Sequence, residues 1–133
     1  MIVVDASVLA NALTDDGPLG QVARAELAHD VHWSAPEHLL VEAFSAIRGR
    51  LLGGKIGQER ARDASDALAE ASIELLSVAP LLRRMWQLRE NFSAYDAAYV
   101  AAAEAHDCAL LTTDRRLAQA PGVRCQVRLA VPA

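Results

Sequence analysis

The sequence has few of the residues that stabilise a protein covalently or through zinc. Its two cysteines, Cys108 and Cys125, form neither a CxxC pair nor a metal-ligand spacing with a histidine. The four histidines show no HExxH pattern. These absences argue against a disulfide framework and against a zinc site, and we expect free, buried thiols at both cysteine positions.

Long apolar segments are also missing. No run approaches the length that crosses a bilayer, and the short apolar stretch at the amino terminus follows no basic region and is interrupted by Asp5. We therefore expect a cytoplasmic protein with no membrane partner. With 53% hydrophobic residues, a chain of 133 residues can bury one complete core, so residues 1–133 are expected to form a single domain.

Positive charge is scarce as well. Thirteen Lys and Arg residues stand against seventeen Asp and Glu residues, which gives a net charge of −4, and Lys55 is the only lysine. Such a balance normally argues against a nucleic-acid partner, because binding a polyanion depends on basic side chains. The objection weakens if several acidic residues bind divalent cations in one site, since the ions reverse the local field there.

Apolar runs alternate with helical patterns along the chain. Strands are predicted at 2–5, 32–35, 73–78, 109–113 and 124–129, and helices at 6–13, 19–28, 36–52, 58–71, 80–91, 93–105 and 115–118. Pro36 is predicted to open the third helix, whose apolar stripe is formed by Leu40, Ala43, Phe44, Ile47 and Leu51. The alternation predicts an α/β fold, a mainly parallel sheet flanked on both faces by helices.

Two aspartates stand where predicted strands end. Asp5 follows the first strand and Asp114 follows the fourth. Ligands of open parallel sheets bind beyond the carboxyl ends of strands, so both positions are candidates for a site. An aspartate between a strand and a helix is also a good amino-terminal cap, and either residue alone has that explanation.

Asp96 and Glu42 are acidic residues within helical patterns. Asp96 shares a helix face with Tyr99, Val100 and Ala103, which should be directed into the protein. The alternative is a capping box, in which an acid three residues after a capping serine reaches back to the backbone. Glu42 lies in the middle of an apolar helix, where no cap explains it, although its carboxylate could reach water from the edge of the stripe.

One functional interpretation covers all four acids, whereas the structural alternatives are independent of one another. Carboxylate oxygens are the ligands that Mg²⁺ prefers. Two such ions about 3.5 to 4 Å apart can activate a water and stabilise the leaving oxygen in phosphodiester hydrolysis. The four residues are Asp5, Glu42, Asp96 and Asp114.

Four segments also resemble the PIN-domain ribonucleases, and within them the VapC toxins of bacterial toxin–antitoxin pairs. They are IVVDASVL, LLVEAFSAIR, SAYDAAYVAAAE and LLTTDRRL, in family order and with near-family spacing. The family's acidic positions carry over as Asp5, Glu42, Asp96 and Asp114, and the accompanying hydroxyl positions as Ser7 and Thr112.

The resemblance implies a three-layer α/β/α PIN-like fold, dependence on Mg²⁺ or Mn²⁺, and endonucleolytic cleavage of RNA. It also implies a VapB-type antitoxin and a homodimer, with transfer or ribosomal RNA as possible substrates. Asp5 and Asp96 are the first choices as direct metal ligands. Glu42 and Asp114 would complete the site directly or through water, and Ser7 and Thr112 would orient carboxylates or contact a phosphate.

Further residues have two interpretations each. Arg115 and Arg116 directly follow Asp114 and could grip RNA phosphates, although a solvated surface charge also explains them. Aromatic side chains could stack on bases, but in this pattern they are expected in the core. These aromatic residues are Trp33, Trp86 and Phe92.

Two other classes of function compete with a nuclease. A domain of the same fold could bind RNA or protein without cleaving, and metal-dependent cleavage would separate the two. A receiver-like or phosphatase-like domain would use Asp5 as a phosphoryl acceptor. That class fits poorly, because the first strand lacks an adjacent acidic pair and Ser7 stands where a DxD motif has its second aspartate.

Overall fold

Five strands and seven α-helices alternate in the computed structural model, which describes residues 1–133. A 3₁₀ turn, Ala79–Leu81, precedes the fifth helix. In chain order the elements are β1 Ile2–Val4, α1 Ala6–Thr14, α2 Pro18–Leu27, β2 Trp33–Pro36, α3 Leu39–Leu52, α4 Gln58–Glu70, β3 Ile73–Leu76, α5 Leu82–Gln87, α6 Ala94–Ala105, β4 Ala109–Thr112, α7 Arg115–Gln119 and β5 Val127–Leu129.

The sheet has the order β3-β2-β1-β4-β5, and every neighbouring pair is parallel. In the central strand, Val3 is in register with Ser34 of β2 and with Leu110 of β4. The chain adds strands on one side of β1 and then returns to its other side with β4. The strand order therefore reverses between β1 and β4, which is where open α/β sheets bind their ligands.

Helices cover the sheet in two groups, which confirms the predicted three-layer α/β/α arrangement. Helix α1 packs against α2, α3 and α4, whereas α6 packs across β1, β2 and β4 with α5 beside it. Strands covered on both faces are apolar throughout rather than alternating. Accordingly Val3, Val4, Leu110 and Leu111 are fully buried. None of the helices is both long and apolar enough to cross a membrane.

Pro36 does not open a helix, as the sequence had suggested. It is the last residue of β2 and pairs with Leu76 of β3. Proline has no amide hydrogen, but the pairing of β2 with β1 ends at Ser34, so no ladder bond is lost on that side. The next amide, that of Glu37, donates to the Leu76 carbonyl at 3.0 Å, and α3 begins only at Leu39.

The predicted apolar stripe of α3 is wrong at Phe44, which is half exposed. The buried line is instead Leu39, Ala43 and Ile47, spaced by four residues. Three other predicted elements are shorter by two or more residues, since β3 ends at Leu76, α5 spans only Leu82–Gln87 and β5 begins at Val127. Both cysteines are free thiols, as predicted, but only partly buried.

Candidate active site

Asp5 leaves the central strand at its carboxyl end. Its backbone amide still donates to the Leu111 carbonyl, at 2.9 Å. One carboxylate oxygen, Oδ1, accepts from the Ser7 amide at 3.4 Å and caps α1, while Oδ2 accepts from the Thr112 hydroxyl at 2.6 Å. The capping interpretation is therefore correct, and it leaves the carboxylate anchored to the neighbouring strand.

Asp114 occupies the equivalent position after β4. Its Oδ1 accepts from the Arg116 amide at 2.9 Å and so caps α7. Its own amide donates to the Thr112 hydroxyl at 3.1 Å. Because Thr112 is fully buried, its hydroxyl forms a fixed link between Asp5 and the segment that carries Asp114.

The side chain of Arg116 also binds Asp114. Nε lies 3.1 Å from Oδ1 and Nη2 lies 2.7 Å from Oδ2, a two-point contact. This guanidinium holds the pKa of Asp114 below its usual range. The Arg116 side chain is 86% exposed, so its guanidinium covers Asp114 on the side that faces solvent. Arg115 is exposed and binds no carboxylate.

Asp96 enters the site from the first turn of α6. The residues on its face, Tyr99, Val100 and Ala103, are buried as predicted. Burial raises the pKa of Asp96, and the charge of Asp5 raises it further. The Ser93 hydroxyl accepts from the Asp96 amide at 3.2 Å, but the Asp96 carboxylate does not bond the Ser93 amide in return. Only half of the capping box is formed, and a contact of the Ser93 side chain with the Asp96 carboxyl opposes, without cancelling, the rise in its pKa.

Glu42 does not simply extend into water. The Tyr99 hydroxyl donates to Glu42 Oε1 at 2.8 Å, and His38 Nε2 lies 3.0 Å from the same oxygen. Burial raises the pKa of Glu42, although the hydrogen bond from Tyr99 and the neighbouring His38 oppose the change; the charges of Asp5 and Asp96 raise the pKa further. Glu42 is therefore held close enough to Asp5 and Asp96 for their charges to affect its pKa.

Tyr99 and His38 are two residues whose contacts with the acids the sequence analysis missed. Tyr99 is fully buried, and burial raises its pKa, so its hydroxyl stays protonated and available to Glu42. His38 packs edge-on against Tyr99, with ring centroids 5.1 Å apart. The signal was present, since Tyr99 follows Asp96 by three residues and His38 precedes Glu42 by four, spacings that put each pair on one helix face.

All four predicted acids line one cleft, here called the acidic cleft, of about 460 Å³ at the carboxyl ends of β1 and β4. No three of these side chains converge closely enough to form a ready set of metal ligands. Three are engaged by protein donors: Asp5 by Thr112, Glu42 by Tyr99 and Asp114 by Arg116. Ser7 and Thr113 also line the cleft, and the buried Ser7 Oγ has no hydrogen-bond partner. The Ser7 hydroxyl and the four carboxylates are all oxygen ligands, the type that hard divalent cations prefer.

Comparison with known proteins gives consistent results. A family model described as PIN domain matches residues 2–123. Ribonuclease VapC1 of Mycobacterium tuberculosis is 41% identical over 128 residues, and Ribonuclease VapC9 of the same organism is 37% identical over 127; each match covers 96% of both chains. The crystal structure of FitAcB from Neisseria gonorrhoeae superposes with a TM-score of 0.73 over 98% of both chains, at 18% identity.

Proposed function

Because the chain belongs to the PIN-domain family, and its near-full-length relatives are VapC ribonucleases, we propose that it is a divalent-metal-dependent endoribonuclease and the toxin of a toxin–antitoxin pair. The observation that carries the proposal is that four carboxylates from separate segments line one cleft at the switch point of the sheet. Residues 1–133 would act as one nuclease domain.

The donor set fits Mg²⁺ or Mn²⁺. Asp5 and Asp96 would be direct ligands, and Glu42 and Asp114 would complete the coordination directly or through water. Such ions, when bound, supply a nucleophilic water and neutralise charge on the phosphate. They also answer the objection from net charge, since an acidic cleft that holds cations attracts rather than repels a phosphate.

The remaining side chains of the cleft would position these acids. Thr112 donates to Asp5 and accepts from the Asp114 amide, so it sets the distance between two strand ends. Tyr99 fixes one oxygen of Glu42 and leaves the other, Oε2, free of that bond. Partners that orient metal ligands are a general requirement of such sites.

The products of cleavage test the proposal directly. We expect purified protein to cut RNA in Mg²⁺ or Mn²⁺ and to leave a 5′-phosphate and a 3′-hydroxyl, because water rather than the ribose 2′-hydroxyl attacks the phosphate. End-labelled fragments, analysed with and without phosphatase treatment, provide the measurement.

Cleavage that continues in EDTA, or a 2′,3′-cyclic phosphate product, would contradict this mechanism. Protein that binds RNA but does not cut it in either metal would favour the alternative, a non-catalytic RNA- or protein-binding domain of the same fold.

We also propose partners. A VapB-type antitoxin and a homodimer are expected from the VapC relatives, and transfer or ribosomal RNA is the expected substrate. The acidic cleft suits an antitoxin that inserts an arginine among the carboxylates, since Arg116 already makes such a two-point contact with Asp114.

Arg116 should compete with metal for Asp114. Replacing it with alanine removes the guanidinium from both carboxylate oxygens and leaves only the backbone amide of residue 116 on Oδ1, so we expect the Kd for Mn²⁺ to fall by about two- to fivefold, a modest change because the guanidinium is exposed and screened. Calorimetric titration of Mn²⁺ measures this change. Arg115→Ala is the matched control, since it removes a positive charge from the adjacent residue without removing any contact with Asp114. Equal Mn²⁺ affinity in wild type and Arg116→Ala would show that the contact does not hinder metal binding.

A further inference from the structure

Trp86 lies on the surface, although tryptophan carries the largest apolar ring of any residue. It is 67% exposed, so the expectation that it belongs to the core is wrong. Trp33 behaves differently, because it is partly buried and its indole N–H donates to the Leu27 and Asp30 carbonyls. The ring of Trp86 therefore contributes little to folding, and its exposure requires another explanation.

Arg89 stacks on this exposed ring. Its Cζ lies 4.2 Å from the ring centroid, and its Nη1 donates to the Trp86 carbonyl at 2.8 Å, which fixes the guanidinium in place. Arg89 takes part in no ion pair with a carboxylate. The guanidinium thus covers one face of the ring and pairs with no carboxylate, so a base can stack on the other face of the ring or on the guanidinium itself.

The Trp86–Arg89 pair lies in a groove of about 370 Å³, lined mainly by apolar side chains. Its other lining residues are Leu82 and Met85 of α5, Phe92 and Ser93 just before α6, and Ala94 and Ala97 of α6. The groove is large enough for a nucleobase and is open to solvent. Its charged side chain is basic, and no carboxylate lines it.

This groove lies near the acidic cleft, with one further hollow between them. Phe92 and Ser93 also line the next hollow, which contains Asp96, Asp114 and Arg116. Those three residues in turn line the acidic cleft. The groove, this hollow and the acidic cleft are therefore neighbours, and a strand of RNA whose phosphate lies at the carboxylates can pass Arg116 towards Trp86.

We propose that Trp86 and Arg89 form a nucleotide-binding subsite, which holds an unpaired base of the RNA strand on one side of the bond that is cut. The inference rests on the proposed ribonuclease function, because that function places RNA in the acidic cleft. A stacked base must be free of its helix, so the subsite favours cleavage within single-stranded loops. Every base has a π-face, so the subsite adds affinity without reading sequence.

A short single-stranded RNA of about eight nucleotides serves as the probe. Binding is followed by fluorescence anisotropy of the labelled RNA with Ca²⁺ in place of Mn²⁺, and cleavage of the same RNA is followed in Mn²⁺. Trp86→Leu should weaken binding by about five- to a hundredfold, since it removes the stacking surface, and Trp86→Phe should restore most of the affinity. In cleavage, KM should rise while kcat stays near that of wild type.

Two matched comparisons locate the effect. Arg89→Ala should weaken binding, whereas Arg83→Ala, which removes an exposed arginine of α5 outside the groove, should not. RNAs that lack one base at a time should show one position whose loss weakens binding to wild type but not to Trp86→Leu. That position identifies the stacked nucleotide.

If Trp86→Leu and wild type have the same RNA affinity and the same KM, the proposed subsite is wrong. The groove would instead be a protein interface if Trp86→Leu left RNA binding intact but lost self-association or affinity for the antitoxin. If RNA binding depends on Trp86 but no cleavage occurs in Mn²⁺, the proposed ribonuclease function is wrong and the subsite is an RNA-binding site. If cleavage occurs and does not depend on Trp86, only the subsite is wrong.

Discussion

Asp96→Ala is expected to reduce RNA cleavage by more than about a hundredfold, while the metal-free protein stays as stable as wild type or becomes slightly more stable. Loss of a residue that merely orients a ligand costs about ten- to a hundredfold, so loss of a ligand should cost more. Stability should not fall, because burial and the charges of Asp5 and Asp114 raise the pKa of Asp96 and make its ionised form unfavourable. Removing the carboxylate relieves both effects.

Mn²⁺ provides a second readout for the same variant. An ion that binds only the folded state stabilises it by about 2.7 kcal/mol at a hundred times its Kd. For a chain of this length that corresponds to a rise in Tm of roughly 10 °C. Wild type should show this rise in saturating Mn²⁺, and Asp96→Ala should show little of it. Melting curves in EDTA and in Mn²⁺, run beside the cleavage assay, measure both effects.

Two control variants separate a metal role from a capping role. Ser93→Ala removes the hydroxyl that accepts from the Asp96 amide, so it should cost about 1 kcal/mol of stability and keep the Mn²⁺ rise. Asp63→Ala makes the same substitution at an exposed position of α4 and should change neither property. An active Asp96→Ala protein that keeps the full Mn²⁺ rise would remove Asp96 from the site.

Element types and their order could be predicted from the sequence because the hydrophobic periods differ clearly. Buried parallel strands such as Ile2–Val4 and Ala109–Thr112 are continuously apolar, and the helices between them repeat every three to four residues. Boundaries failed where tertiary context decides. Pro36 satisfies the rules for a helix start, yet β3 extends alongside it, and only the strand order shows that its missing amide is harmless.

The four acids were predicted to lie together, and the structure brings them into one cleft. The strand-end acids Asp5 and Asp114 follow from topology alone, since carboxyl ends of parallel strands meet at one edge. Their metal-binding roles remain predictions. The contacts of Glu42 with Tyr99 and His38 depend on how α3 faces α6, and helix periodicity fixes the face of each helix but not the pairing of two helices.

Surface side chains were the least predictable part of the site. Nothing in the sequence distinguishes Arg116, which binds Asp114 at two points, from Arg115, which does not. Hydrophobic periodicity also could not predict that Trp86 is exposed, because the hydrophobicity of a tryptophan is the same whether it is exposed or buried. Trp86 lies within α5, and its exposure depends on which face of α5 packs against α6, which a helix of six residues does not reveal in its sequence.

Thr112→Val is expected to weaken Mn²⁺ binding and RNA cleavage by about ten- to a hundredfold, although it only replaces one buried hydroxyl with a methyl group. The hydroxyl donates to Asp5 at 2.6 Å and accepts from the Asp114 amide at 3.1 Å. Valine has nearly the same shape but makes neither bond, so both acids lose a fixed partner. The metal-free protein should lose about 1 to 2 kcal/mol of stability, the usual cost of leaving buried polar groups unpaired.

The residue after Thr112 provides the control for this prediction. Thr113 also lines the acidic cleft but makes no bond to Asp5, so Thr113→Val should bind Mn²⁺ and cut RNA nearly as wild type does. Thr112→Ser keeps the hydroxyl and should recover most of both properties. Because Thr112 would act through Asp5, its loss should appear first in the calorimetric Kd for Mn²⁺, and saturating Mn²⁺ should recover part of kcat. A Thr112→Val protein with unchanged Mn²⁺ affinity would show that Asp5 is held in place by its strand and cap alone.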